Sequence, residues 1–374
     1  MQLLLRRFLA LAVPLAASAA SAPTTSFAAS AAALSSSTAT SFVSASDPRF
    51  VYEGRFDQSD PSAPVVIWQG SRIRLDFDGD SLALEFTAVK DQVFFNAAID
   101  GHSTIVGLRE NQPPAGVAFS GLGAGRHQLV LFKRSEATAG TVQFRGVTLT
   151  NGAKAFAPTV PTYVSTMLFI GDSITAAACN EDGDTDQWND RRTHNNALSY
   201  GAFTAAAFDA DYRNIAVSGM GVVTGWTPMK AGEVWDRIYP RPDSPRENLA
   251  SWTPKIVFVN LGENDDSFTT AKKLAFPADA FSDGYVELVH AIRQAYPHAE
   301  IVVLRGGMFG GAQSERLRGP WENAVKRIEA ADPHASHFVF KHWSHNHPRV
   351  ADHRAMADEL IAWLKTQAFM RTHD

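Results

Sequence analysis

The chain has 374 residues, enough for two domains and at least one large hydrophobic core. Its apolar content of 45% is that of an ordinary soluble protein. Its formal charge of -5 comes without the basic clusters that nucleic-acid or anionic-membrane binding requires, so we expect no nucleic-acid partner and no stable membrane insertion. The single cysteine, Cys179, excludes an intrachain disulfide and is expected to be a packing residue. The oligomeric state stays open.

The N-terminus has the pattern of a secretory signal peptide. Arg6 and Arg7 precede a short apolar run, Phe8–Ala16, and small residues follow it. The run is too short to span a bilayer comfortably, so residues 1–22 are predicted to be a signal peptide cleaved during export by the general secretory route. Residues 23–46 are mostly Ala, Ser and Thr and are predicted to be a leader or linker outside the fold. We therefore expect a secreted or periplasmic protein.

Residues 47–151 have the pattern of an all-β domain. Ser71–Phe77 alternates polar and apolar residues as a half-buried strand does, and Ser81–Phe86 resumes the alternation after a turn. Further short strands follow without any helical periodicity between them. Several strands at this spacing predict a β-sandwich of the jelly-roll type.

Residues 162–370 change to a strand–loop–helix rhythm. Apolar runs without alternation are typical of a parallel sheet that is covered on both faces. The runs are Met167–Ile170, Tyr212–Val217, Ile256–Leu261, Ile301–Leu304 and His337–Phe340. Helical periodicity appears at 281–292 and again at 356–364. The pattern predicts a doubly wound α/β domain, in which ligands bind beyond the carboxyl ends of the strands.

Four segments that follow predicted strands, or lie near the C-terminus, carry residues suited to ester chemistry. A Gly-Asp-Ser turn ends at Ser173, where the first N–H groups of a helix would favour developing negative charge. Gly219 and Asn264 follow later strands, and His347 lies near the C-terminus. A serine nucleophile needs a base to take its proton, and imidazole titrates near neutral pH. The set predicts a serine esterase.

These segments, in this order, resemble the Ser, Gly, Asn and His blocks of the GDSL/SGNH hydrolase superfamily. The chain looks more narrowly like carbohydrate esterase family 2, and Lys133–Ala137 resembles the end of that family's N-terminal domain. The resemblance implies a two-domain enzyme that removes O-acetyl groups from sugars and plant polysaccharides, without a metal or organic cofactor. It implies Ser173 as nucleophile and His347 as base. It also implies an oxyanion hole formed by the N–H groups of Ser173 and Gly219 and the Asn264 amide.

Two positions depart from the superfamily pattern. Most members carry an aspartate three residues before the catalytic histidine, where this chain has Ser344. Either Ser173 and His347 act as a dyad, or another acceptor replaces the carboxylate, with His345 as one candidate. Glu263 stands where relatives more often have threonine.

Other polar residues near these segments have expected structural roles. His342, His345 and His353 are rival bases, of which His353 is expected to be a cap or a packed polar residue. Asp172 and Asp265 are expected to accept hydrogen bonds from loop N–H groups.

An acidic stretch at 180–190 superficially resembles a calcium loop. Gln187 and Thr193 stand where an EF-hand needs glycine and glutamate, so we expect a solvated loop beside the cleft. Its alternating carboxylates are Asp182, Asp184 and Asp186. The aromatic residues considered for stacking on a sugar ring are Trp188, Trp226, Trp235, Phe309 and Trp321.

The predicted function is that of an exported carbohydrate O-acetyl esterase, which forms an acetyl-serine intermediate and acts on acetylated oligo- or polysaccharides. The resemblance implies xylan, mannan or a related sugar as the substrate. A sugar O-acetyltransferase is one alternative, because a second sugar hydroxyl could replace water. A non-catalytic carbohydrate-binding protein is another, because the acid position before His347 has changed.

Overall fold

The computed structural model describes residues 40–112, 117–150 and 152–370. The predicted signal peptide and the linker up to residue 39 lie outside these ranges. Within them, a β domain precedes an α/β domain. No helix in the described ranges has both the length and the apolar character needed to cross a bilayer.

The β domain is built from antiparallel strands in two layers. The strands are β1 (Thr40–Ser44), β2 (Val51–Glu53), β3 (Phe56–Asp57), β4 (Val65–Val66), β5 (Arg72–Asp78), β6 (Ser81–Ile99), β7 (His102–Arg109), β8 (Val117–Ser120), β9 (Arg126–Lys133), β10 (Gly140–Thr150) and β11 (Ala155–Phe156). The long strand β6 belongs to both layers, because it pairs first with β8 and β10 and then with β7 and β9.

One hydrophobic core fills the space between these two layers. Phe86 in the first part of β6 stacks on Phe95 in its last part, with ring centroids 5.5 Å apart. Phe144 of β10 packs on Phe86 at 5.8 Å. The antiparallel, curled sheet with a single core confirms the predicted all-β fold.

The β domain begins earlier in the chain than predicted. Residues 40–44, assigned to the linker 23–46, form β1 and pair in register with β10. The Ala/Ser/Thr-rich composition hid this strand, since an edge strand is held mainly by backbone hydrogen bonds and needs few apolar side chains. Val43 supplies the burial that is needed, whereas Phe42 points outward and is 53% exposed. β11 likewise extends the domain beyond residue 151.

The α/β domain has a five-stranded parallel sheet of order β13-β12-β14-β15-β16. In chain order its elements are β12 (Ser165–Gly171), α1 (Ser173–Ala176), α2 (Tyr200–Ala207), β13 (Ala210–Ala216), α3 (Ala231–Val234), β14 (Ile256–Asn260), α4 (Glu263–Ala271), α5 (Ala278–Ala295), β15 (Glu300–Met308), α6 (Phe309–Gln313), α7 (Glu315–Ala331), β16 (Ala335–Ser344) and α8 (Val350–Leu364). The parallel order confirms the predicted sheet.

Helices cover both faces of this sheet. On one face α5 and α7 pack on the sheet, and the residues that predicted α5, such as Phe281 and Ile292, are fully buried. On the other face α2 and α8 pack around Phe169 and Phe258, whose rings stack at 4.5 Å. A parallel sheet with two apolar faces is the reason the strands appear as unbroken apolar runs.

The two domains share part of their core. Trp68 and Ile67 of the β domain belong to the same hydrophobic cluster as α5 and α7. The Trp68 indole donates to the Ile238 carbonyl at 2.7 Å, and the buried Gln69 amide donates to Asn214 at 2.7 Å. These contacts fix the β domain against the β13 side of the parallel sheet.

Candidate active site

The predicted site residues meet at the carboxyl edge of the parallel sheet. Ser173 follows β12, Gly219 follows β13, and Asn264 lies in the first turn after β14. His347 lies in the loop between β16 and α8, and its Nε2 is 2.9 Å from the Ser173 Oγ. The structure therefore brings the proposed nucleophile and base into hydrogen-bond contact.

Local chemistry explains how the turn presents Ser173. The Asp172 carboxylate caps α1 by accepting the Ile174 N–H at 3.0 Å. Gly171 admits no side chain, because a Cβ there would lie 2.2 Å from the Thr175 Oγ1. Asp172 is buried, and burial raises the pKa of its carboxyl well above the usual range. As expected, Asp172 accepts a hydrogen bond from the backbone of its own turn. The neighbouring Ser173 faces the cleft.

A carboxylate that the sequence analysis assigned to a solvated loop completes the hydrogen-bond series. Asp186 Oδ2 lies 2.6 Å from His347 Nδ1, on the opposite side of the ring from Ser173. Arg349 donates to the other oxygen of Asp186 at 2.8 Å. Burial alone would raise the pKa of Asp186, but hydrogen bonds from His347 and Arg349 hold it well below its usual value. An ionised Asp186 fixes the proton on Nδ1 and leaves Nε2 free to accept one.

The acceptor missing at position 344 is therefore replaced by Asp186, which lies 161 residues before His347 in the chain. Ser344 instead donates to the Asn346 carbonyl at 2.6 Å. His345 stacks on Phe309, with ring centroids 6.2 Å apart, and packs edge-on against Trp343 at 4.8 Å, so its ring contacts within the described part of the chain are with these two residues and not with His347. The expectation of a solvated loop was wrong for Asp186, although its neighbour Asp184 is exposed.

The rival histidines are engaged elsewhere. His342 Nε2 pairs with Asp352 at 2.8 Å. His353 is fully buried, accepts the Tyr200 N–H at 3.2 Å, and stacks on the Tyr200 ring. Burial lowers the pKa of His353 to about 3, so it stays neutral and structural. His347 is the histidine that reaches Ser173.

The candidate oxyanion donors, Ser173, Gly219 and Asn264, line the same cleft. Gly219 has a φ of +82°, and a Cβ there would lie 3.0 Å from Thr227 and 3.1 Å from Trp226, which explains the glycine. The Asn264 Nδ2 donates to Asp172 Oδ2 at 3.1 Å and to the Met220 carbonyl at 3.0 Å. The amide is thus held at the cleft floor with its nitrogen toward the serine turn.

Replacing Asn264 by alanine should lower kcat by about a hundredfold or more, because one side-chain donor to an oxyanion is typically worth that much. Initial rates on 4-nitrophenyl acetate measure the effect. Asn264→Asp is the matched variant, since it keeps the shape of the side chain but replaces the donor. It should lose as much activity as the alanine variant. A threefold effect or less in both would remove Asn264 from the oxyanion hole.

Two further carboxylates fix loops around the cleft. Asp265 accepts the N–H groups of Val222, Val223 and Thr224 at 2.8–3.0 Å, and burial raises its pKa to about 6. Glu263 accepts the Gly311 N–H at 2.7 Å, and burial raises its pKa as well. The unusual glutamate therefore holds the start of α6.

The cleft above Ser173 has a volume of about 600 Å³. Of the five aromatic candidates, Trp188 and Trp226 line it and are 36% and 53% exposed. Trp235 and Trp321 are core residues, and Phe309 is exposed but is not among the residues that line the cleft. The cleft is thus open, with aromatic faces on its walls.

Cys179 is buried, as expected for a packing residue, and burial raises the pKa of its thiol. Its Sγ, an Asp186 oxygen and a His347 nitrogen lie within 4.8 Å of one another. Arg349 contacts the same carboxylate, and a guanidinium beside it disfavours a cation there. The geometry favours the hydrogen-bonded series over a metal centre.

The lowered pKa of Asp186 predicts a loss of stability in acid. Its native pKa lies below the usual 3.8, so the charged form stabilises the fold above that pH, and this contribution is lost as the pH falls below about 4. We expect the Tm of the wild type to fall more between pH 5 and pH 3 than that of Asp186→Asn. Thermal unfolding followed by circular dichroism at both pH values measures this. Equal Tm losses in the two proteins would contradict it.

Family models match almost the whole described chain. The model for carbohydrate esterase 2 N-terminal matches residues 52–158, which is most of the β domain. The model for the GDSL-like Lipase/Acylhydrolase family matches residues 169–368, which covers the α/β domain.

Known proteins with similar sequences are esterases. Cellulase/esterase CelE of Acetivibrio thermocellus is 32% identical over 86% of this chain, and the match covers 40% of that protein. An acetylxylan esterase / glucomannan deacetylase of Cellvibrio japonicus is 26% identical over 82% of this chain and 86% of its own length. This chain therefore spans less than half the length of CelE and most of the length of the Cellvibrio protein.

Solved structures agree with the sequence matches. A family two carbohydrate esterase from Clostridium thermocellum, in complex with cellohexaose, has 30% identity and a TM-score of 0.74, covering 84% of this chain and 98% of its own. A family two carbohydrate esterase from Cellvibrio japonicus has 22% identity and shares the fold, with a TM-score of 0.76 over 90% of this chain and 99% of its own. The chain therefore belongs to the GDSL-like lipase/acylhydrolase family and, within it, to carbohydrate esterase family 2.

Proposed function

We propose that this protein is a carbohydrate O-acetyl esterase that releases acetate from acetylated polysaccharides of the xylan and glucomannan type. The observation that carries the proposal is the hydrogen-bonded series Asp186–His347–Ser173 at the floor of an open cleft. Family membership and the names of the relatives support the ester and carbohydrate classes. The complete series also argues against a protein that only binds carbohydrate.

The first half of the reaction transfers the acetyl group to the enzyme. Ser173 Oγ attacks the acetyl carbonyl carbon while His347 Nε2 takes its proton, and Asp186 stabilises the imidazolium that forms. The carbonyl oxygen becomes an oxyanion, which the backbone N–H groups of Ser173 and Gly219 would hold with the Asn264 amide. An Nδ2 hydrogen now bonded to Met220 or Asp172 would turn to this oxygen.

The second half regenerates the enzyme. It begins once the tetrahedral intermediate has collapsed to acetyl-Ser173 and the sugar oxygen has left with the proton from His347. Water then enters, gives a proton to His347 Nε2 and attacks the acetyl-Ser173 carbonyl. Acetate leaves as Ser173 regains its proton. These steps need no group beyond the side chains, the backbone donors and water.

The aromatic side chains on the cleft walls favour a sugar as the alcohol part of the ester. The orientation of the Trp226 ring is fixed by two contacts. Its indole N–H donates to the Ser267 hydroxyl at 3.0 Å, and its ring packs edge-on against Phe268. Trp188 packs edge-on against His347 at 5.0 Å, beside the reacting atoms. Rigid aromatic faces bury the apolar face of a sugar ring at little entropic cost.

Replacing Trp226 by alanine should raise KM for acetylated xylan by about tenfold, because an aromatic contact of this kind contributes on the order of 1 kcal/mol beyond its buried area. The effect on 4-nitrophenyl acetate should be smaller, since that ester presents no sugar ring. Phe42→Ala is the matched control, as Phe42 has the same 53% exposure on β1. Equal effects of Trp226→Ala on both substrates would exclude a sugar-stacking role.

The predicted signal peptide fits this function. Plant polysaccharides are too large to be imported intact, so an enzyme that deacetylates them acts outside the cytoplasm. We propose a secreted or periplasmic location on the basis of the Arg6-Arg7 start and the apolar run after it. N-terminal sequencing of the protein recovered from the culture medium or periplasm tests this proposal.

Acetate release tests the substrate class. Acetylated xylan, acetylated glucomannan and 4-nitrophenyl acetate are compared as substrates for the wild-type protein. Release from a polysaccharide and from the small ester is the expected result. Turnover of the small ester alone would keep the serine chemistry and overturn the polysaccharide substrate. Acetylated acceptor sugar in place of free acetate would identify a transferase, and binding without turnover would identify a carbohydrate-binding protein.

A further inference from the structure

The end of the β domain inserts a carboxylate into the cleft of the other domain. Glu136 follows β9 and is 1% exposed, yet it lines the cleft together with Ser173. Its backbone is fixed by the buried Lys133, whose Nζ donates to the carbonyls of Ser135 and Glu136 at 2.8 and 2.9 Å. The segment that resembled the family's N-terminal domain therefore has a partner in the catalytic domain.

Glu136 bonds the residue that precedes the candidate oxyanion glycine. Its Oε2 accepts the N–H of Ser218 at 3.2 Å, and Gly219 comes next in the chain. On the far side of the turn, the Gly219 carbonyl accepts the Trp226 N–H at 2.8 Å. The Glu136 bond thus fixes one side of the Gly219 turn, and the catalytic domain fixes the other.

The charge of Glu136 is balanced within the same cluster. Arg191 donates to its Oε1 at 3.0 Å, and His194 Nδ1 lies 3.6 Å from that oxygen. Burial by itself would raise the pKa of Glu136, but contacts with His194, Ser218 and Arg191 lower it to about 2. Glu136 is therefore a permanent acceptor at neutral pH, unsuited to proton transfer.

We propose that Glu136 of the β domain is a positioning residue for the oxyanion hole, which acts by holding the Ser218 amide so that the Gly219 N–H points at the reacting carbonyl. The inference rests on the proposed esterase function and deepens it. It makes the β domain part of the catalytic unit. Positioning errors of about 1 Å in such sites are known to cost on the order of a hundredfold in rate.

Two conservative variants of the full chain separate the effect of the length of the Glu136 side chain from the effect of its charge. Glu136→Asp keeps the charge but shortens the side chain, so kcat on 4-nitrophenyl acetate should fall about ten- to hundredfold with KM unchanged. Glu136→Gln keeps the side-chain length and one acceptor oxygen, which the Ser218 N–H can use once the partly exposed Arg191 turns to solvent, so kcat should stay within about fivefold of wild type. The shape of the kcat–pH profile should be the same in all three proteins.

A second readout reports on the oxyanion hole itself. Methylboronic acid forms a tetrahedral adduct with an active serine, so its inhibition constant should rise in Glu136→Asp by the factor by which kcat falls. Asp100→Asn is the control, because Asp100 also accepts a backbone N–H, from Gln128, and pairs with a histidine, but lies away from the cleft. It should behave as wild type in both assays.

The outcomes are distinct. A Glu136→Asp variant with wild-type kcat and boronate inhibition would overturn the inference, and so would a Glu136→Gln variant more impaired than Glu136→Asp. Should Glu136→Asp fail to fold at the assay temperature, Glu136→Gln with kcat reduced more than tenfold would overturn it. A wild-type protein without ester hydrolysis would instead overturn the proposed function.

Discussion

Replacing Ser173 by alanine should abolish ester hydrolysis, with kcat falling by about 10⁶-fold, as happens when a serine hydrolase loses its nucleophile. Ser173 is the hydroxyl that His347 Nε2 reaches, at 2.9 Å, so no acetyl-enzyme could form without it. The fold should persist, because the change removes one oxygen. The measurement is 4-nitrophenolate release, with circular dichroism to verify folding.

Ser218→Ala is the control for this substitution. Ser218 lines the same cleft, its hydroxyl has no hydrogen-bond partner among the described residues, and its backbone N–H is kept in the variant. Activity within a few-fold of wild type is expected. Residual hydrolysis by Ser173→Ala above a hundredth of the wild-type rate would mean that another group attacks the ester.

Replacing Asp186 by asparagine should lower kcat by about 10²- to 10⁴-fold at neutral pH, since the equivalent loss in a serine protease triad costs about 10⁴. The asparagine amide can donate to His347 Nδ1, which would place the proton on Nε2 and prevent it from accepting the proton of Ser173. It also loses the charge that stabilises the imidazolium. KM should change little, because Asp186 does not line the cleft.

Asp184→Asn is the matched control for Asp186→Asn, two residues away in the same loop and exposed. It should retain wild-type kcat. Wild-type activity in Asp186→Asn would return the mechanism to a Ser173–His347 dyad. Equal losses in both variants would indicate a general effect on the loop.

Much of the fold could be predicted from the sequence because its patterns are local. Unbroken apolar runs such as Ile256–Leu261 indicated buried parallel strands, and periodicity at 281–292 indicated a helix packed on the sheet. The strand β1 could not be found in this way. It is held by pairing with β10, more than a hundred residues later, and its composition is that of a linker.

The candidate site also contains residues that local patterns predict and one, Asp186, that they do not. Ser173, Gly219, Asn264 and His347 each follow a local pattern, and the sheet topology brings their segments to one edge. Asp186 has no such pattern, because its role depends on a fold that brings it to His347.

Three signals could have pointed to Asp186. Ser344 left His347 without its usual acceptor, and the acidic loop after Ser173 follows directly at the carboxyl edge of the sheet. Arg349, two residues after His347, also required a carboxylate partner nearby. Glu136 is missed for the same reason as Asp186, since its contact with Ser218 joins two domains.

Labelling with a 4-nitrophenyl phosphonate ester tests the central claim most directly, because such esters phosphonylate an activated serine and water does not remove the group. The wild-type protein is labelled until esterase activity ends, and peptide mass spectrometry locates the adduct. We predict one adduct per chain, on the peptide that contains Ser173, in proportion to the activity lost. A modified protein that keeps its activity, or an adduct on another residue that tracks the loss, would contradict the assignment of Ser173 as the nucleophile.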